Sequence, residues 1–249
     1  MLFSCYDPRM SHRHRFYIDP GTATTTEIAL EGAELHHALN VVRLREGEPV
    51  ALFDGRGREL LGHVAQRDKR SISIAVEEER EHPAPKPHIT LAQAWLHNPN
   101  AIAWLLKHGT EIGIAHFVFF RAQHSVKAPQ LNEKMERVTL EACKQCGRNW
   151  LPELAVVKGL EDALAGDYDQ RWIGALDEKP KPLHGAEKAG RILLIIGPEG
   201  DFTAEEMKMA TYAGAWPFSL GGTVFRGEVA AVHAAALLQY EHGQMGPME

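Results

Sequence analysis

The sequence has little of what marks disulfide-rich, secreted or membrane proteins. It contains three cysteines, Cys5, Cys143 and Cys146, which are too few, and odd in number, for a disulfide framework. No apolar run is long enough to span a membrane, and the first residues, MLFSCYDPRMSHRHRF, lack the extended apolar core of a signal peptide. We therefore expect a cytoplasmic protein with no membrane partner.

The sequence also lacks an excess of positive charge. Its 27 Lys and Arg residues are outnumbered by 33 Asp and Glu residues, which gives a formal net charge of -6. A nucleic-acid partner would have to bind a local basic patch, because association follows the local field more closely than the total charge. The 249 residues, 44% of them hydrophobic, can form one large globular domain or two modest ones.

A proline-rich and charged segment divides the chain. Residues 77–88, EEEREHPAPKPH, favour an extended linker because proline removes backbone donors and cannot continue a helix. Before it, short strand-like runs, a hairpin turn and one helix indicate a small β-barrel-like module. After it, strands alternate with helices, which predicts a parallel sheet covered on both faces. We expect an α/β protein with domains at residues 1–82 and 83–249.

The first glycine loop interrupts the segment ILLIIGPEGDFTAEE, residues 192–206. Gly197 and Gly200 leave the backbone bare beyond a buried strand, where ligands bind in open α/β sheets. Thr203 and Glu206 have the spacing of a capping box, so a helix begins directly after the loop. The segment matches neither a dinucleotide-binding G-x-G-x-x-G nor a phosphate-binding P-loop. A turn without any ligand remains an alternative.

The second glycine loop has the same setting between a strand and a helix. It lies in SLGGTVFRGEVAA, residues 219–231, and should reach the same edge of the sheet as the first loop. Two such loops predict a pocket for a small, mostly apolar molecule. Arg226 and Glu228 are either an ordinary surface ion pair or charged groups at the rim of that pocket.

Two other patterns bear on metals and on RNA. Cys143 and Cys146 form a C-x-x-C within an apparent helix, but no second pair completes a zinc site, so we predict no metal.

Basic residues occur in both halves and could line one groove that binds RNA phosphates. The candidates are Arg13, Arg15, Arg43, Arg45, Arg121, Lys127 and Arg148.

Several blocks, spread over nearly the whole chain, resemble one known family. They are HRFYID, ELHHALNVVRLREGEPVALFDGRGRE, KHGTEIGIAHFVFFRAQHSV, EACKQCGRNWLPEL, LLIIGPEGDFTAEE and LGGTVFRGEVAA. The chain resembles SPOUT-superfamily methyltransferases and, more narrowly, the bacterial family that methylates N3 of a uridine in 16S ribosomal RNA.

The resemblance implies a PUA-like RNA-binding β-barrel domain followed by an α/β domain whose C-terminal segment forms a trefoil knot. It also implies a homodimer and a bound S-adenosylmethionine. The residues implied to hold that cofactor are Leu176, Ile196, Gly197, Glu199, Gly200, Leu220, Gly221, Val224 and Phe225.

The implied reaction assigns roles to two residues. N3 of uracil must lose a proton as it is methylated, so Arg226 is the candidate for stabilising the anion and Glu228 for a base or orienting group. The expected partner is ribosomal RNA or the small ribosomal subunit. Methylation of another RNA base or of a ribose is one alternative, and a non-catalytic RNA-binding or ribosome-assembly protein is another.

Four positions depart from the family pattern. Asp201 replaces a glycine of Gly-Pro-Glu-Gly-Gly in the first loop. In the second segment Thr223 replaces an arginine, Phe225 a leucine and Val229 a threonine. Loss of a cation near the pocket either weakens RNA or cofactor binding or marks a diverged substrate. These positions therefore bear on the exact target more than on the reaction class.

Overall fold

The computed structural model describes residues 13–23, 25–175 and 180–245, which form two compact units. One unit contains the residues up to Ala84 together with Cys143–Leu151, and the other contains Pro85–Ala142 and the residues from Pro152 onward. The division at residues 82 and 83 stays a sequence-based prediction. No local pattern indicated that Cys143–Leu151 would join the first unit.

The first unit contains a five-stranded sheet in the order β1-β3-β4-β5-β2. Its elements are β1 (His14–Tyr17), β2 (Glu27–Ala29), α1 (Gly32–His36) with a π-helical continuation (His37–Val42), β3 (Pro49–Phe53), β4 (Arg58–Arg67) and β5 (Ile72–Glu81). The β1–β3 pair is parallel and the other pairs are antiparallel. The one helix expected in this module is present, and its residues Leu35, Ala38, Leu39 and Val42 pack on the core of this sheet.

The second unit contains a six-stranded parallel sheet in the order β11-β9-β10-β6-β7-β8. Its strands are β6 (His88–Ala94), β7 (His116–Phe120), β8 (Glu153–Val156), β9 (Gln170–Gly174), β10 (Arg191–Ile196) and β11 (Ala215–Phe218). Its helices are α2 (Pro99–Ile112), α3 (Glu133–Cys146, whose last turn belongs to the first unit), α4 (Leu160–Leu164), α5 (Ala204–Tyr212) and α6 (Gly227–Glu241). The parallel α/β sheet expected from the alternation of strands and helices is confirmed.

Strand β10 explains why the apolar run ILLII is continuous. Successive side chains of a strand point to opposite faces, and here both faces are covered. Ile192 and Leu194 pack into one apolar cluster, whereas Leu193 and Ile195 pack into the other. All four are fully buried, and each contributes roughly 1.5–3 kcal/mol relative to an exposed side chain.

Helix α2, which packs against α6, begins and ends at residues that have local capping signals. Asn98 accepts a hydrogen bond from the backbone N–H of Asn100 at 2.9 Å, and Pro99 occupies the first helical position. The helix ends at Gly113, whose φ of 101° is left-handed and favours glycine. Across the described ranges, no helix combines the length and apolarity that a membrane crossing requires.

Candidate functional site

A cavity of about 440 Å³ lies at the carboxyl ends of β9, β10 and β11. Most of its wall comes from two segments, called here the first loop (residues 197–201) and the second loop (residues 219–226). Parallel strands bring these loops to one edge of the sheet, although they are separated in the sequence. The predicted convergence of the two glycine loops is therefore present in the fold.

Most of the residues predicted for this site lie together around the cavity. The predicted residues that line it are Ile196, Gly197, Glu199, Leu220, Val224, Phe225, Arg226 and Glu228. Gly200 and Gly221 belong to the two loops without contributing to the lining, and Leu176 lies outside the described residues. The cofactor-binding and catalytic roles of all these residues stay predictions.

The first loop is held by contacts from outside it. The carboxylate of Glu199 accepts a hydrogen bond from the backbone N–H of His97 at 2.9 Å. The Nδ1 of His124 lies 2.8 Å from the carbonyl oxygen of Gly200 and 3.0 Å from that of Asp201. Because both partners are acceptors, this nitrogen carries the proton. A β-carbon on Gly200 would lie 3.0 Å from the Cβ of His124, so a larger residue there would have to displace His124 by a few tenths of an ångström.

Asp201 stands where the family pattern has glycine, and its backbone explains the preference. Its φ is 59°, in the left-handed region that glycine adopts at no steric cost. Asp and Asn tolerate this region better than other residues because a short polar side chain can bond the local backbone. Here Oδ1 accepts a hydrogen bond from the N–H of Phe202 at 2.8 Å. The substitution keeps the loop conformation.

The helix after the first loop begins as predicted. Thr203 accepts from the N–H of Glu206 at 3.2 Å, and the Glu206 carboxylate accepts from the N–H of Thr203 at 2.9 Å. This capping box is complete. Glu206 also accepts from the N–H of Gln123 at 2.9 Å, so one buried carboxylate ties the helix start to the segment after β7.

The sequence-based assignment missed Gln93, which lies beneath the first loop. It is fully buried in β6, and its Nε2 donates to the carbonyl oxygen of Gly197 at 3.1 Å and to that of Ala94 at 3.0 Å. Its Oε1 has no hydrogen-bond partner among the described residues. A buried amide oxygen without a partner is costly. The only local signal for this residue is a single amide inside the apolar run ITLAQAW.

The second loop is more open than the first. Gly221 has a φ of 114°, which requires glycine, and Val224 is 74% exposed. The loop leads into α6 at Gly227, where space is tight: a β-carbon there would lie 3.3 Å from the carbonyl oxygen of Gly197 and 3.2 Å from Leu96. The start of α6 therefore approaches the first loop closely at Gly227.

Arg226 and Glu228 flank that contact. Arg226 is the N-cap residue of α6 and makes no side-chain capping bond, while Glu228 lies in the first turn. No ion pair joins the two within the part of the chain that the structure describes. The surface-pair interpretation of their charges is therefore not supported, and both side chains are available to the cavity that they line.

Comparison with known proteins gives the family. Residues 82–239 match a family model described as "RNA methyltransferase domain", and residues 30–77 match one described as "RNA methyltransferase PUA domain". The chain belongs to the RNA methyltransferase family. The resemblance drawn from the sequence blocks is confirmed.

Individual relatives agree over nearly the whole chain. Ribosomal RNA small subunit methyltransferase E of Bacillus subtilis is 26% identical over 230 residues, covering 86% of this chain and 90% of that protein. The crystal structure of a ribosomal RNA small subunit methyltransferase E from Neisseria gonorrhoeae bound to S-adenosyl methionine is similar with a TM-score of 0.82 at 24% identity, covering 92% and 98%. That of a probable rRNA-methyltransferase from Porphyromonas gingivalis has a TM-score of 0.79 at 28% identity, also covering 92% and 98%. These likenesses support the α/β fold with a PUA-like domain.

The two cysteines of this RNA methyltransferase that the structure describes differ in their exposure. Cys143 is buried, and burial raises the pKa of its thiol to about 12, so it carries no thiolate at neutral pH. Cys146 is exposed, and Cys5 lies outside the described residues. Within the described ranges no cluster of three or more His, Cys, Asp or Glu side chains could hold a metal ion.

The basic residues predicted to bind RNA lie in different settings. Arg15 is ion-paired with Glu59 and hydrogen-bonded to Asn149 inside the first unit. Burial lowers the pKa of Arg148 in the same unit. The exposed candidates are Arg43 and Arg45 in the first unit and Arg121 and Lys127 in the second, and Arg13 is half-buried. The RNA-binding role remains a prediction for all seven.

Proposed function

We propose that this protein transfers a methyl group from S-adenosylmethionine to N3 of a uridine in small-subunit ribosomal RNA. The observation that carries the proposal is the cavity between the two glycine loops, inside the segment that matches the RNA methyltransferase domain. The names of the relatives support a ribosomal substrate, and the S-adenosyl methionine bound to one structural neighbour supports the cofactor. Such a substrate also supports the cytoplasmic location.

The residues around the cavity fit this cofactor. Its volume of about 440 Å³ suits a ligand of this size, since small-molecule sites span roughly 300–1,000 Å³. Ile196, Leu220 and Phe225 offer apolar surface to an adenine ring, and the bare backbone of Gly197 can bond its edge. When bound, the cofactor supplies an electrophilic methyl group, so the protein has to position the uracil and remove its N3 proton.

Arg226 and Glu228 suit the second task. Arg226 stabilises the negative charge that develops on the uracil, and Glu228 accepts the N3 proton or orients the base. A cation at the positive end of a helix costs about 0.3–1 kcal/mol. Arg226 occupies such a position at the start of α6, and a bound anionic group would offset that cost. The target base has to leave its stack to enter the pocket.

The proposed fold includes a trefoil knot in the second unit and a closed barrel in the first. Support for the knot comes from strand order, because β9 lies between β10 and β11, and from the contact between Gly227 and the first loop. Knots are rare enough that no periodicity predicts one. An experimental structure traced from residue 197 to residue 227 tests it, and an unthreaded chain would contradict it.

A homodimer is proposed from an apolar face on α6. Leu237 and Tyr240, three residues apart on that helix, are 43% and 64% exposed, and Trp104 on α2 is 38% exposed. Large exposed apolar side chains on neighbouring helices are typical of an interface. We expect light scattering to give a dimer, and the variant carrying Leu237→Glu and Tyr240→Glu to be monomeric. A monomeric unmodified protein would contradict the proposal.

The decisive experiment combines a calorimetric titration with S-adenosylmethionine and a methyl-transfer assay. Small ribosomal subunits and naked 16S RNA serve as substrates, and mass spectrometry identifies the modified nucleoside. We expect cofactor binding and N3-methyluridine. A methyl group on another base or on a ribose would support the alternative target, and absence of cofactor binding would support a non-catalytic RNA-binding protein.

A further inference from the structure

The connection between β6 and α2 adds a third part to the wall of the cavity, through the side chain of Asn98. The N–H of His97 donates to the carboxylate of Glu199 at 2.9 Å, which joins this connection to the first loop. A β-carbon on Gly227 would lie 3.2 Å from Leu96, so the same connection also approaches the start of α6. Asn98 is therefore held in place relative to both the first loop and α6.

The helices α2 and α6 begin side by side at the cavity. Each follows a strand of the parallel sheet, and the two helices pack against each other. Ala101 in the first turn of α2 and Ala230 in that of α6 both line the cavity. The N-cap residues are Asn98 for α2 and Arg226 for α6. Asn98 thus belongs to the part of the wall that also holds Arg226 and Glu228.

The amide group of Asn98 has one atom engaged and the other free. Its Oδ1 accepts the hydrogen bond from the N–H of Asn100 at 2.9 Å. Because this N–H is a donor, the atom that faces it has to be the oxygen, so the other atom of the amide is Nδ2. Among the described residues Nδ2 makes no hydrogen bond, and Asn98 is exposed. The cap therefore holds an unused N–H donor at the wall of the cavity.

This donor suits the edge of uracil that reacts. A carbonyl oxygen, O2 or O4, lies on each side of N3, and both are acceptors. When N3 loses its proton, the negative charge is shared by the two oxygens, so a donor to either one stabilises the transition state more than the neutral base. Arg226 supplies donors on the α6 side of the cavity, and Asn98 supplies one on the α2 side.

We infer that Nδ2 of Asn98 donates a hydrogen bond to one of the two carbonyl oxygens that flank N3 of the target uracil. The inference rests on the proposed function, because it adds a substrate-contacting residue to that reaction. Capping alone would be served as well by serine or aspartate, which are as effective as asparagine at this position. Of these three side chains, asparagine alone keeps a second polar atom that donates while the first one caps.

The test is Asn98→Ser, which keeps a capping oxygen, adds no charge and removes the amide donor. The matched control is Asn132→Ser, because Asn132 directly precedes α3, accepts from the N–H of Met135 at 3.3 Å and lies outside the cavity lining. We expect Asn98→Ser to lower kcat on small ribosomal subunits by about tenfold to a hundredfold, as for loss of a hydrogen bond to a charged group. The KM for S-adenosylmethionine and the melting temperature should stay unchanged.

A second variant, Asn98→Asp, keeps both the cap and the size of the side chain but turns the donor into an acceptor. We expect its kcat to fall at least as far as that of Asn98→Ser, because an acceptor would face the carbonyl oxygen. Thermal unfolding of both variants shows whether they are folded.

Substrates with one altered oxygen identify the contact. Small subunits are reconstituted with 16S RNA that carries 2-thiouridine or 4-thiouridine at the nucleotide that the unmodified protein methylates. Sulfur is a weaker acceptor than oxygen, so on one of these substrates the bond is already lost in the unmodified protein. There Asn98→Ser should cost less than about threefold, while its full effect remains on the other substrate.

The outcomes separate this inference from the proposed function. Turnover of Asn98→Ser equal to that of the unmodified protein, or an equal loss in Asn132→Ser, would overturn the role of Asn98. A full loss on both thiouridine substrates would also overturn it, and so would a higher KM for S-adenosylmethionine with unchanged kcat. Failure of the unmodified protein to methylate small subunits would instead remove the proposed function.

Discussion

The two loops that form the cavity are held in opposite ways. The first loop is fixed from outside, by the amide of Gln93, the backbone of His97 and the imidazole of His124. In the described part of the chain, the side-chain hydrogen bonds of the second loop stay between Ser219 and Gly221. One wall of the pocket is therefore organised by hydrogen bonds before any ligand binds, whereas the other is held, among the described residues, by packing contacts such as that of Phe225 with His233.

This difference separates two tasks that a methyltransferase site has to perform. A preorganised wall suits cofactor binding, because little order has to be gained when the ligand arrives. An open wall suits a large RNA substrate, which has to enter and leave, and part of its order can come from the bound partner. Substitutions in the first loop should therefore affect stability as well as cofactor affinity. Those in the second loop, which also contributes Leu220 and Phe225 to the proposed cofactor site, should affect binding or turnover with little change in stability.

The largest effect is expected from Arg226→Ala in the second loop. Loss of one group that stabilises developing charge typically lowers kcat by about 10²–10³, and we expect that loss here with an unchanged melting temperature. Methyl transfer to small ribosomal subunits and thermal unfolding are the measurements. Lys208→Ala, an exposed cation on α5, is the control. Turnover within about threefold of the unmodified protein would remove the proposed role of Arg226.

A matched pair of glycine substitutions compares the two walls directly. A methyl group on Gly200 would lie 3.0 Å from the Cβ of His124, whereas one on Gly222 meets nothing within 4 Å. We expect Gly200→Ala to lower the free energy of unfolding by about 1–3 kcal/mol and Gly222→Ala to change it by less than about 0.5 kcal/mol. Urea unfolding measures both. Equal effects would show that the first loop is no more constrained than the second.

Gln93→Met tests the support beneath the first loop. It keeps the volume of the side chain but removes the donor to the carbonyl oxygen of Gly197. We expect KM for S-adenosylmethionine to rise about tenfold, equivalent to about 1.4 kcal/mol, while kcat at saturation changes little. Gln239→Met is the control, because this buried glutamine donates to Gly113 away from the cavity. A similar rise in KM for both variants would assign Gln93 a purely structural role.

The smallest effect is expected from Asp201→Gly, which restores the family residue in the first loop. Glycine relieves the left-handed backbone but removes the bond from Oδ1 to the N–H of Phe202. These contributions oppose each other, so the free energy of unfolding should change by less than about 1 kcal/mol. Methyl transfer should remain at the level of the unmodified protein. A loss of activity would show that the Asp201 carboxylate itself takes part in binding.

The parts of the site that could be predicted from the sequence are those that depend on residues close together in the chain. The helix start at Thr203 and Glu206 is local, and so is the position of each glycine loop after an apolar strand. The support from Gln93 is not local, because it depends on the parallel register that places Gln93 beside Ile196. His124 likewise reaches a residue 76 positions away. Contacts of that kind follow from strand order, which periodicity does not contain.

The basic residues illustrate a second limit. Arginines look alike in a sequence, and the candidates for RNA binding included Arg15, which is ion-paired inside the first unit. They omitted Arg67, whose side chain forms no ion pair within the described residues. Whether a cation is already neutralised depends on which carboxylates the fold brings near it. The sequence therefore identifies candidate cations but does not show which of them the fold neutralises.

The contact between Gly227 and the first loop has a consequence for the timing of activity during synthesis. The hydrogen bond from Gln93 to Gly197 already joins residues 104 positions apart. The second loop, which completes the pocket, follows still later in the chain. Domains are made from the N-terminus at about 5–20 residues per second. A growing chain therefore has the sheet of the first unit well before it has a complete pocket. If the first unit binds RNA as the sequence predicts, such a chain binds RNA before α6 has been made but does not yet methylate it.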